Sequence, residues 1–187
     1  MINVDPPLYI LLLAMQLFTK PIEKESSLSN REIAIEIYLL ESDKIRYSDN
    51  SMAFYPDESD LPLLPLITNE EIVSYRKKVP SSQDDTVYLL RLNKTGIEKI
   101  RKLTNVQISR GRPFAICINR KPVFGGYFWQ SFSSYSCDWI VIPLDFASGE
   151  LSILNGYPST KFSRVDEDLR KSSVLSEAFE DRSRSNK

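Results

Sequence analysis

The chain has 187 residues, 42% hydrophobic and 26% charged, enough for one domain with an ordinary core and no need of disulfides. Its 24 basic and 25 acidic residues leave a net charge of −1, which supplies no long-range field for nucleic acid or an anionic membrane. Histidine is absent, which excludes Ser-His and Cys-His nucleophile pairs and removes the commonest metal ligand.

Residues 1–30 begin with an apolar run, Leu8–Phe18, broken only by Gln16. The run has the length of a signal-peptide core and is too short for a bilayer span of roughly 20 residues. Asp5 stands where basic residues are usual, and no A-x-A site follows. We expect an export or anchoring segment and linker here; the alternative is a strand or helix packed on the domain. Membrane contact is expected at most through this segment.

Residues 33–41 (IAIEIYLLE) read as a strand. Positions 42–68 are irregular, with a short candidate strand at Met52–Tyr55. Thr68 with Glu71 forms a capping box and predicts a short helix over NEEIVSYRKK. Residues 80–85 form a loop and TVYLLRL (86–92) a strand. Asn93 caps a helix over 94–108, with Ile97, Ile100, Leu103 and Thr104 on one face. Three strand-like runs follow, PFAICIN (113–119), PVFGGYFWQ (122–130) and CDWIVIP (137–143), the first two joined by a tight turn at Arg120-Lys121. The expected fold is α+β: a small, mostly antiparallel sheet with helices on one face, in the order strand, helix, strand, helix, meander. It spans residues 31–146. Residues 147–187 read as an extension with a turn, a short strand, an amphipathic helix over 159–180 and an unstructured tail.

The stretch VFGGYFWQSFSSYSCDW (123–139) holds both tryptophans. Period two puts Phe124, Gly126 and Phe128 on one face, and Val123, Gly125, Tyr127 and Trp129 on the other. One row then lies open as an interface, or the 42–66 loop or the C-terminal helix covers it. The candidate binding surface is Tyr127, Phe128, Trp129, Phe132 and Tyr135. Gly125-Gly126 signals a bulge that aims Trp129 outward or room for a neighbouring aromatic. Cys117 and Cys137 form one disulfide or remain two buried thiols, and cannot complete a zinc site by themselves. Arg110, Arg112, Arg120 and Lys121 read as a solvated rim. Asp84-Asp85 and Glu70-Glu71 are explained by turn and helix-start chemistry. No catalytic residue, metal or cofactor is implied.

The order of motifs from YLLRLNKTGIEKIRKLTN to RPFAICINRKPVFGG resembles the first extracytoplasmic head domain of the SecD and SecDF export subunits. The matching positions are Leu92, Asn93, Gly96, Ile100, Leu103 and Thr104, then Arg112, Phe114, Ala115, Ile116, Ile118 and Val123. LPLITNEEIVSYRKK stands where the family opens its preceding helix, so the resemblance covers roughly residues 61–143. It implies a non-enzymatic domain that contacts protein or peptide partners outside the cytoplasm, linked to export or the envelope. The family's multi-helix membrane domain has no counterpart here, so proton-driven translocation is not carried over, and the expectation is a head-like domain exported on its own. FGGYFWQSFSS is also bulkier than the family's small and prolyl residues. The alternative function is a small carboxylate-based hydrolase or carbohydrate-binding protein using Trp129 and Trp139.

Overall fold

Strand β1 (Ile35–Leu39) forms where the sequence alternates, with Ile35 and Ile37 fully buried. The computed structural model describes residues 33–47, 50–78, 86–105, 111–145, 149–164 and 167–185. Among these residues, β2 (Ile72–Lys78), β3 (Val87–Leu92), β4 (Arg112–Ile118), β5 (Lys121–Trp129), β6 (Cys137–Pro143) and β7 (Glu150–Tyr157) join β1 in one sheet. The strand order is β1-β4-β5-β6-β7-β3-β2. Every pairing is antiparallel except β5 with β6. With the helices α1 (Lys94–Arg101) and α2 (Ser173–Ser185) this is an α+β fold around a single apolar core. The expected export segment over residues 1–30 lies outside the described residues.

Several elements differ from expectation. NEEIVSYRKK is not a helix: its capping box is present, but it closes only a 3-10 turn over Asn69–Glu71, and the chain then extends as β2. Ile72, Val73 and Tyr75 favour a pleated surface, and pairing with β3 outweighs the local helix signal. The helix after Asn93 is shorter than expected. Asn93 Oδ1 accepts the Gly96 N–H at 2.9 Å, and the α-helix passes at Arg101 into a 3-10 turn through Asn105. Met52–Tyr55 is irregular rather than a strand.

The last strands are not a meander. The loop 130–136 carries the chain back so that β6 runs parallel to β5, and β7 then pairs with both β6 and β3. The segment set apart after residue 146 therefore supplies an inner strand of the sheet. The helix expected over 159–180 is a 3-10 turn at Thr160–Phe162, another at Leu169–Lys171, and then α2, which continues through Ser185 where an unstructured tail is predicted. The β4–β5 hairpin turns on Asn119 and Arg120, both at positive φ, one residue earlier than the sequence suggests.

Residues 66–72 tie the two edges of the sheet together. Ile67 bridges to Ile37 on the outer side of β1, and the Asn69 side chain accepts the Ile35 N–H at 3.1 Å. A few residues on, the same segment becomes β2. Glu71 anchors it: its carboxylate accepts the Thr68 N–H at 2.9 Å and pairs with Lys99 of α1 at 2.8 Å.

Candidate functional site

Strand β5 is covered on both faces. Phe54 lies edge-on to Tyr127 at 5.2 Å, Phe114 sits 4.8 Å from Phe128, and Tyr157 lies 6.1 Å from Trp129. Tyr127, Phe128 and Trp129 are thus core residues, each about 1% exposed or less, and not part of a binding surface. The cover over Tyr127 comes from the 42–66 segment, one of the two covers the sequence allowed. The glycine pair serves this packing: a Cβ at Gly125 would stand 2.6 Å from the Phe54 ring, and one at Gly126 would stand 2.7 Å from the Ile140 carbonyl and from Phe114. The irregularity of the β4–β5 ladder lies instead between Ile116 and Cys117.

Trp139 is also buried, and its indole N–H donates to the Gly125 carbonyl at 3.0 Å. Neither tryptophan can stack on a sugar. Phe132 and Tyr135, by contrast, are 84% and 62% exposed on the loop between β5 and β6. Cys117 and Cys137 are free and buried, with no disulfide between them. Burial pushes each thiol up to about 12, so both stay protonated near neutrality. Of the basic rim, Arg120 donates to the Tyr38 hydroxyl at 3.3 Å and the Leu63 carbonyl at 3.0 Å, fastening the 61–65 loop. Arg110 and the Asp84-Asp85 pair lie outside the described residues.

The exposed loop leads through Ser136 into a cleft of about 500 Å³ that sequence reasoning missed. Asp138, the second residue of β6, forms its floor. One carboxylate oxygen accepts the Met52 N–H at 2.9 Å, while the Tyr127 hydroxyl donates to the Met52 carbonyl at 2.8 Å. On the other side the Arg164 N–H donates to the Asp138 carbonyl at 3.2 Å, bringing the chain after β7 alongside β6. The Arg164 guanidinium lies 3.8 Å from the second Asp138 oxygen and donates to the Asn50 carbonyl at 3.0 Å, so it spans both walls. Tyr47 and Phe162, each about half exposed, line the cleft. Burial, and next the Tyr47 phenol, raise the Tyr127 phenol well above the ordinary tyrosine range.

The cleft thus offers aromatic faces, hydroxyls and one carboxylate–guanidinium pair. It suits the hydrogen-bonding and stacking of a polar chain; its one carboxylate is already engaged on both oxygens. The signal for it was scattered over Tyr47 and Asn50–Met52, Ser136 and Asp138, and Phe162 and Arg164, with no motif in common. Among the described residues, no cluster of three or more metal-ligating side chains occurs, and no helix is long and apolar enough to cross a membrane.

No family model matches the chain, and no curated protein matches it. Among solved structures it is similar to one described as a membrane component, SecDF, that enhances protein export. The identity is 14% and the TM-score 0.41, over 66% of this chain and 56% of that one. It is likewise similar to SecDF in a super-membrane-facing form, with 14% identity and a TM-score of 0.40, over 71% of this chain and 18% of that one. The chain thus spans about half the length of the first structure and under a fifth of the second. A likeness of this size carries no conclusion about activity.

Proposed function

We propose that the chain is a non-enzymatic interaction domain that holds polypeptide segments outside the cytoplasm, in a setting linked to protein export or the cell envelope. One observation carries the binding half of this reading. Four exposed aromatic side chains, Tyr47, Phe132, Tyr135 and Phe162, stand on the Asp138 cleft and on the loop that leads into it. Aromatic residues of this kind carry much of the binding energy at protein interfaces. The sequence resemblance to SecD heads and the apolar run Leu8–Phe18 support the location.

The test uses a fluorescently labelled, permanently unfolded carboxymethylated polypeptide as probe. The Phe132→Ser, Tyr135→Ser double variant is expected to bind it on the order of ten-fold more weakly than the parent chain, with an unchanged thermal transition. Equal binding by variant and parent removes this site from the proposal. Fractionation of the expressed chain with N-terminal sequencing tests the location, and an intact Met1 in a cytoplasmic fraction overturns it.

A further inference from the structure

Among the described residues, strand β2 ends the sheet. It pairs with β3 on one side and with no backbone group on the other among the described residues. A bulge between Ile72 and Ser74 blunts its start, but from Ser74 to Lys78 the register with β3 is unbroken. Unpaired peptide groups along such a run are a template for another extended chain. The other edge of the sheet, β1, is partly closed by Ile67.

Beside this edge, between β2 and α2, opens a second cavity of about 330 Å³ lined by Tyr75, Arg76, Lys77, Tyr88, Phe179 and Glu180. An aromatic column forms its wall: Tyr75 stacks on Tyr88 at 5.3 Å and on Phe179 at 5.1 Å. The exposed charge of the strand is entirely positive. Arg76 is held by Glu150 at 2.9 Å, whereas Lys77 and Lys78 have no acidic partner among the described residues.

We infer that β2 is a strand-addition site for an extended acidic segment of a partner protein. The segment's backbone pairs with Ser74–Lys78, and its carboxylates face Lys77 on one side of the sheet and Lys78 on the other. One apolar side chain enters the aromatic cavity against Tyr75 and Phe179. This is the recognition mode in which main-chain bonds supply affinity and side-chain pockets supply selectivity. Charge argues against a second copy of this chain as occupant. Two antiparallel copies of β2 would bring four unpaired lysines to one seam, and neither strand brings a carboxylate. The site shares no residue with the Asp138 cleft.

The experiment titrates the full chain with a short fluorescein-labelled glutamate-rich peptide carrying one central valine, and with the same peptide carrying lysine in place of glutamate. Anisotropy reads affinity and amide hydrogen exchange reads the site. The acidic peptide is expected to bind and to slow exchange at Ser74–Lys78. The lysine peptide is expected to bind on the order of ten-fold more weakly, and the Lys77→Glu, Lys78→Glu variant to reverse that preference. N-methylation of consecutive central residues of the acidic peptide removes its N–H donors and is expected to abolish binding. Equal affinity for both peptides, unchanged exchange along β2, or full binding by the N-methylated peptide overturns the proposal. So does protection of Ser74–Lys78 that rises with protein concentration alone, which would make a second copy the occupant.

Discussion

The two tryptophans are equally buried but differently satisfied. Trp139 donates to the Gly125 carbonyl, while the Trp129 indole N–H has no hydrogen-bond partner. Trp139→Phe leaves a buried carbonyl without its donor, whereas Trp129→Phe removes a donor that had no acceptor. Both changes lose ring volume, so the difference between them isolates the hydrogen bond. Trp139→Phe is expected to destabilise the chain by about 1–2 kcal/mol more than Trp129→Phe in urea denaturation. Arg170 is the other residue whose role rests on its partners. It is 2% exposed, grips the Asp168 carboxylate at 2.8 and 3.0 Å, and donates to the Thr86 and Ile153 carbonyls at 3.0 and 2.8 Å. Its guanidinium also lies 5.2 Å from the centre of the Tyr88 ring. Arg170→Ala leaves a half-buried carboxylate with only Lys171, at 3.9 Å, and removes the donor from two carbonyls. The expected cost is about 3–5 kcal/mol, read from the midpoint of the same denaturation curve.

At the scale of elements, β5 and the 52–56 segment act as one unit, because Gly125 admits the Phe54 ring. Gly125→Ala must displace Phe54 and expose the face of Tyr127, at an expected cost of about 1–3 kcal/mol with increased binding of an apolar dye. Gly126→Ala is expected to cost more than Gly125→Ala, because its nearest neighbour is a backbone carbonyl of β6 that cannot rotate away. Strands β3 to β6 were legible from their alternation and their turn residues. The same local signals failed at residues 69–78. The Thr68–Glu71 box is formed, but the chain beyond it is held extended by β3, a partner that enters the chain only at Val87 and that local reading does not weigh. Strand β7 was undervalued for a related reason: a short run of apolar residues has no signature of standing inside a sheet until its two neighbours are known.

For the molecule as a whole, burial of ionisable groups that are neutral near pH 7 sets its alkaline behaviour. Cys117 and Cys137 titrate near 12 when folded, against 9.0 for a free thiol. Between these values the folded chain keeps protons that the unfolded chain has released. Stability therefore falls as pH rises from about 9 towards 12 and is unaffected by these thiols below that window. The phenols of Tyr75 and Tyr127, also raised by burial, add to the loss above pH 10. A urea series across that window is expected to show a falling midpoint, with iodoacetamide alkylating the thiols at pH 8 only after unfolding.

Of the predicted binding surface, the sequence could show that seven aromatic residues lie between positions 123 and 139, but not which of them face water. Period two describes one strand; what covers each row depends on segments far away in the chain. Phe54 covers one row of β5, Phe114 of the neighbouring strand packs beside Phe128 in the other, and only the loop residues Phe132 and Tyr135 remain outside. The cleft could not be read at all, because Tyr47, Asp138, Phe162 and Arg164 meet only when β6, β7 and the 50–52 segment converge. The sequence by itself determined the α+β class, most of the strands, and the lack of histidine chemistry, since composition and period are local properties of the chain. Tertiary structure alone decided the strand order, the parallel β5–β6 pair, the burial of the tryptophans and the cleft, because each depends on the pairing of residues distant in sequence.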